Sequence, residues 1–339
     1  MQESRIKSYI LKSPLLSMVL FSCFTFLFAI FLCWLGYQKG LIFIPTPNKV
    51  LRLNQTNYPL IDPLLLCNTE PKDFNLDKKL TSTVKDFVNA RIAANKAENM
   101  SVYLIDYASG KWVGVNENER YDPASMLKVP IMIAYYKNVE TNPTILSQST
   151  SYTGDDQNTG EYFKSKNTIK AGQMYTIEQL IQSMIENSDN TASALLESYI
   201  DKNSLYTVYT DLGLPVPADA PNIQYLSAKL YAYFFRILYN GTYLDKKYSE
   251  RALEYMTKSD IPGIRAGVPA GVTVAQKFGE RSIYDTNGAL KDRELHDCGI
   301  VYKKDSPYLL CIMSRGQNFD DLAKNISDLS QLVYENIDK

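Results

Sequence analysis

Tyr121-Asp122-Pro123-Ala124-Ser125-Met126-Leu127-Lys128-Val129-Pro130-Ile131-Met132-Ile133-Ala134-Tyr135-Tyr136 is the stretch around which the rest of the chain is read. Asp122 and Pro123 form a helix-start pair: a side-chain acceptor for free N–H groups, then a residue with no N–H and a helical φ. Val129 to Tyr136 has no polar face, so its helix is predicted to be central and buried. The i, i+3 spacing of Ser125 and Lys128 puts hydroxyl and amine on one helix face, within reach of each other. A serine hydroxyl is a poor nucleophile at neutral pH. A lysine whose pKa is lowered by burial and by the positive helix N-terminus can take its proton. An ordinary helix start with an exposed Ser and a solvated Lys has the same spacing, so the reading needs further residues.

Two later stretches supply them: Ile185-Glu186-Asn187-Ser188-Asp189-Asn190-Thr191-Ala192 and Gln276-Lys277-Phe278-Gly279-Glu280. Ser188 follows Ser125 by 63 residues, and Lys277 follows Ser188 by 89. The order S-x-x-K, S-D-N, K-x-G resembles the active-site serine family of class A β-lactamases and penicillin-binding proteins, over roughly residues 80 to 337. The resemblance implies an α+β fold: an antiparallel sheet flanked by helices plus an all-helical lobe, with the site in the cleft between them. It implies Ser125 as nucleophile, Lys128 as its base, and Ser188 with Lys277 as the relay to the leaving nitrogen. It implies oxyanion donors from the backbone N–H of Ser125 and Glu280, on a substrate-binding strand that includes Gly279. It also implies that Asn190 holds the substrate's side chain. Lys277 would raise the potential where an anionic substrate sits. Asp189 reads equally as a loop-forming residue.

The chain's own patterns agree with that architecture. Residues 77 to 97 read as a first helix, with Leu80, Val84, Phe87, Val88 and Ile92 near helical spacing. Ser101 to Tyr107 and Lys111 to Val115 read as a hairpin. Residues 140 to 260 read as helix and loop. Val272 to Phe278, Asp297 to Tyr302 and Tyr308 to Met313 read as three more strands, the last pair turned by Lys303 to Pro307. Phe319 to Ile337 reads as a closing helix.

The 339 residues, 45% of them hydrophobic, suffice for a substantial core, and a net charge of −1 gives no sign of a nucleic-acid partner. His296 is the single histidine, and the cysteines lack zinc spacing, so no metal or other cofactor is expected. Leu15 to Gly36 is an uncharged apolar run of 22 residues preceded by Arg5, Lys7 and Lys12. It is long enough to span a bilayer, and the positive-inside rule keeps the N-terminus cytoplasmic. The expected layout is a cytoplasmic segment 1–14, an uncleaved anchor 15–37 through which the chain meets the membrane, a Pro-containing connector 38–75, and a hydrolase domain 76–339 outside. Leu20-Phe21-Ser22-Cys23 faintly resembles a lipoprotein cleavage site, but the apolar run continues beyond it. Leu64 to Leu66 are expected to pack onto the domain. Of the five cysteines, Cys298 and Cys311 read as small core residues, and no disulfide framework is evident.

Four departures from the family pattern bear on chemistry. Between S-D-N and K-x-G the expected deacylation Glu is missing: Asp211 to Leu230 holds no Glu, Asp219 is the carboxylate inside that loop, and Gln224 is no base. Phe278 stands where a Thr or Ser would donate to a substrate carboxylate. Cys298 stands near the usual carboxylate-binding Arg, a role open to Arg281 or Arg293 in a long strand connection. His296, just ahead of that strand, is a candidate because it titrates near neutrality. The function expected is a serine hydrolase acylated at Ser125 by a small-molecule β-lactam or a peptidoglycan-like amide. Its release is expected to be slow. A D,D-peptidase, and a β-lactam sensor or scaffold that does not turn over, are the competing readings.

Overall fold

The computed structural model describes residues 14–38, 52, 57–63, 76–217, 226–259, 261 and 263–338. The chain divides into two units, residues 1–49 and 50–339. The first contains helix α1, Pro14–Gln38, which carries no charged residue and whose described side chains are nearly all exposed. Among the described residues no helix is long and apolar enough to cross a membrane, so the expected anchor is not part of the fold described here.

The second unit is built on a five-stranded antiparallel sheet. Its strands are β1 (Asn99–Asp106), β2 (Trp112–Val115), β7 (Val274–Tyr284), β8 (Leu290–Val301) and β9 (Tyr308–Gly316), in the order β2-β1-β9-β8-β7. Period-two alternation sorts its side chains between two cores. Met100, Val102 and Leu104 meet α2 (Lys78–Ala93) and the closing helix α9 (Phe319–Asn336), which contribute Val84, Val88, Leu322, Ile326 and Leu329. Tyr103 and Ile105 face the opposite way, into the helical lobe. That lobe contains α3 (Lys128–Asn138), α4 (Ile177–Glu186), α5 (Asn190–Tyr199), α6 (Lys202–Asp211), α7 (Ala228–Tyr239) and α8 (Lys246–Thr257). Helix α3 is its axis: every residue from Lys128 to Tyr136 is buried, as a helix with no polar face requires. Two short pairs, β3 (Arg120–Tyr121) with β6 (Leu226–Ser227) and β4 (Ser149–Ser151) with β5 (Met174–Thr176), tie loops to the lobe.

Three expectations change. Strands β7 and β8 run well past the limits read from sequence and pair along Val274–Tyr284, so Arg281 and Arg293 lie on strands opposite Glu294 and Ser282, not in a long connection. Cys298 and Cys311, directly opposite in the β8–β9 register, are joined by a disulfide. Part of the presumed connector, Tyr58 to Asp62, packs into the second unit: Asp62 N–H donates to Tyr239 O and Ile61 is buried. Leu64–Leu66, Cys67, Asp219 and Gln224 lie outside the described residues.

Candidate active site

Ser125 sits on a 3₁₀ turn, Ala124–Leu127, immediately before α3. Asp122 holds this turn from four sides. Its Oδ1 accepts from Ala124 N–H at 2.9 Å, and its N–H donates to Glu294 Oε2 at 3.1 Å. Its carbonyl bonds His296 Nε2 at 3.0 Å, and its Oδ2 pairs with Arg281 Nη1 at 2.6 Å. His296 is fully buried, and its Nδ1 accepts from Ser314 N–H, which leaves Nε2 to donate to Asp122. It therefore braces the turn from behind and does not face the cleft. Glu294, also fully buried, takes two bonds from Arg315. Neither Glu294 nor Arg315 was marked by any sequence motif. Ala124 has φ +48° and Ser188 φ +55°, left-handed conformations that cost non-glycine residues of order 1–3 kcal/mol. Both flank the proposed chemistry.

Behind Ser125 is a buried network centred on the Ser188 hydroxyl. Lys277 Nζ donates to Ser188 Oγ at 2.9 Å, and Lys128 Nζ reaches the same oxygen at 3.2 Å. Lys128 Nζ also donates to Ser188 O at 2.5 Å and to Asn190 Oδ1 at 2.6 Å. Lys128 thus turns its ammonium to the Ser188 loop, and among the described residues the Ser125 side chain makes no hydrogen bond. Burial lowers the Lys128 pKa to about 8, opposed most by the negative charge of Glu161. Lys277, fully buried beside a second ammonium, is held well below the usual lysine range by burial first and by Lys128 second. Asp189 is structural: its carboxylate caps α5 through Thr191 and Ala192 N–H and accepts from Asn158, Ile169 and Ser183.

The edge strand β7 closes the other wall. Gly279 is required there because a Cβ would stand 2.5 Å from Pro123 O and 2.9 Å from Met126 Cγ. Its part is close approach to the Ser125 turn. Phe278, one residue from Lys277, points to the opposite sheet face. Its ring is buried beside Phe163 in the α9 core, lies 4.4 Å from Lys277 Nζ and forms part of the cleft lining, where it offers no hydroxyl to a carboxylate. The cleft is lined by Ser125, Glu161, Ser188, Asn190, Glu280 and Arg281, among others.

The loop between β4 and β5 spans the mouth of this cleft. Glu280's carboxylate accepts from Tyr162 N–H at 2.9 Å and Phe163 N–H at 3.2 Å, and Tyr162 Oη donates to Asp320 at 2.7 Å. Tyr162, Phe163, Phe278 and Phe319 stack edge to face around it. The same loop presents Glu161, whose Oε1 accepts from Asn190 Nδ2 at 2.5 Å. Burial raises the carboxyl pKa of both Glu161 and Glu280. Glu161 escaped sequence reasoning because it precedes S-D-N in an aperiodic loop; only contact with Asn190 reveals it. Among the described residues no cluster of His, Cys, Asp and Glu is arranged to hold a metal ion.

A sequence profile described as the β-lactamase enzyme family matches residues 79–337. The chain belongs to this family. No curated protein sequence matches it. Among solved structures, a mutant of PBP-A captured as an acyl-enzyme with penicillin G is 19% identical, covering 78% of this chain and 98% of its own, with a TM-score of 0.64. The TLA-3 extended-spectrum β-lactamase is 17% identical, with 76% and 100% covered and a TM-score of 0.64. A β-lactamase from Streptosporangium roseum is 21% identical, with 76% and 99% covered and a TM-score of 0.62. At these identities the likeness establishes the β-lactamase-like fold.

Proposed function

We propose that this protein is a serine hydrolase whose Ser125 is acylated by β-lactam or related amide donors and whose acyl-enzyme is released slowly. The observation that carries the reading is the Ser188 hydroxyl shared by Lys128 and Lys277 beside Ser125. In the neutral form, Lys128 takes the proton as Ser125 Oγ attacks the carbonyl carbon. The oxyanion forms against the N–H groups of Ser125 and Glu280. Ser188 passes its proton to the leaving nitrogen and is reprotonated from a lysine. The Ser125–Lys128 contact closes when substrate arrives, as hydrogen bonds at catalytic sites commonly do.

Release needs a base for water. Glu161, a carboxylate of the cleft lining, is occupied by Asn190, and also bonds Ser165 at 3.4 Å. Slow release follows. It also suits the second reading, a D,D-peptidase or penicillin-binding protein acting on peptidoglycan peptides, and the fold is shared with PBP-A, a mutant of which is an acyl-enzyme with penicillin G. We place the hydrolase outside the cell membrane, held by residues 15–37, because three cations precede an uncharged apolar run. N-terminal sequencing of the membrane-purified protein checks this: a start at or beyond Cys23 refutes the uncleaved anchor.

The main test is rapid mixing of the full chain with a chromogenic cephalosporin, with the adduct followed by mass. One equivalent should appear in a burst before a slow steady rate, and Ser125→Ala should abolish the adduct. Turnover as fast as acylation with no detectable adduct would contradict slow release. An adduct that survives Ser125→Ala would move the nucleophile elsewhere.

A further inference from the structure

We infer that the cleft selects acyl donors carrying an ammonium group close to the scissile carbonyl, with Glu161 as its counter-ion. This rests on the Ser125 reading above and adds the substrate class. The amide of Asn190 is oriented by its oxygen, which accepts from Lys128 Nζ at 2.6 Å. Its nitrogen therefore faces the cleft, and both its protons have acceptors: Glu161 Oε1 at 2.5 Å and Gln157 O at 3.5 Å. A substrate carbonyl reaching for Asn190 would have to displace the carboxylate. A substrate donor would instead be bonded by it.

The charges around the cleft point the same way. Two carboxylates, Glu161 and Glu280, line it. Its cations are bonded within the protein: Arg281 pairs with Asp122, Lys277 is buried on Ser188 Oγ and Phe278 O, and Lys128 is buried on Ser188 and Asn190 Oδ1. Phe278 contributes no hydroxyl for an anion. An ammonium entering beside Glu161 would make a charge-assisted bond of about 2.7–2.9 Å, while an added anion would meet two carboxylates. The burial that raises the Glu161 pKa, opposed already by the charge of Lys128, would be opposed further by a bound cation.

Ampicillin and benzylpenicillin test this, since they share ring and carboxylate and differ by one amine on the side chain. Acylation rate constants of the full-length protein in detergent are measured for both near neutral pH, by mass of the adduct. The wild type should favour ampicillin, and raising the salt should shrink the preference. Glu161→Gln should lower the ampicillin-to-benzylpenicillin ratio by about tenfold, the order of one charge-assisted hydrogen bond, and Glu161→Asp should retain more of it. A wild-type ratio insensitive to salt and to both variants overturns the inference while leaving Ser125 chemistry intact. Loss of adduct release in Glu161→Gln with an unchanged ratio also overturns it, and makes Glu161 the water-activating base. If neither penicillin acylates the wild type, the Ser125 reading itself fails and this inference falls with it.

Discussion

Gly279→Ala tests whether the Ser125 turn is positioned by close backbone contact with the sheet. The added Cβ would lie 2.5 Å from Pro123 O, 2.9 Å from Met126 Cγ and 3.2 Å from Met126 N. A carbon–oxygen contact settles at about 3.3 Å or more, so the turn must retreat from the strand by about 0.8 Å. Met126 Cγ can rotate away, but Pro123 O and Met126 N are backbone and move with Ser125 between them. Two stability effects oppose each other. Removing a glycine from the unfolded chain gains about 0.4–1 kcal/mol, and overpacking costs about 1–3 kcal/mol. The net loss should be about 1 kcal/mol, a modest fall in the urea midpoint. The chemistry should suffer far more, because a displacement near 1 Å at a reacting atom costs up to about 10²-fold. Labelling by a fluorescent penicillin should slow by about 10- to 100-fold while the protein stays folded. A variant that labels at the wild-type rate with an unchanged urea midpoint would refute the idea that strand β7 sets the position of Ser125.

Acylation should rise with pH through about 8, since Lys128, lowered to about 8 by burial, is a base only when neutral; a flat profile from pH 6 to pH 9, taken as approximate limits, would exclude it. Phe278→Thr should cost about 3 kcal/mol or more by emptying the α9 core, read as a lower thermal midpoint; an unchanged midpoint would show that the ring adds nothing to that core. Asp297 is fully buried, and burial raises its pKa from 3.8 to about 7. The folded state then binds the extra proton between those limits, so this group's contribution falls as pH rises from about 4 to about 7. Asp297→Asn should therefore lose less stability than wild type over that range in urea titrations, and parallel curves would show that Asp297 ionises freely.

Legibility followed chemistry that repeats locally. Helix α3 announces itself because eight consecutive residues from Val129 have no polar face, and the three motifs lie where the fold brings Ser188 and Lys277 together. The ends of β7 and β8 were hidden because Arg281, Ser282, Asp292 and Arg293 look like a loop, although they pair as strand at the sheet's edge. The disulfide was within reach: Cys298 and Cys311 are nearly equidistant from the Lys303–Pro307 turn, and an antiparallel register makes equidistant residues neighbours. The partners of Asp122 were not within reach, since Arg281, Glu294 and His296 follow it by more than 150 residues and only sheet pairing collects them. Glu161 is similar: its meaning comes from Asn190, at the start of α5.

The Glu280 carboxylate, by gripping the amides of Tyr162 and Phe163, joins the two walls of the cleft into one cooperative unit. Widening the mouth to admit a bulky donor is then a partial unfolding event rather than a free loop fluctuation. Hydrogen exchange at those two amides reports the aperture directly, and whatever slows their exchange must also restrict the size of donor that reaches Ser125.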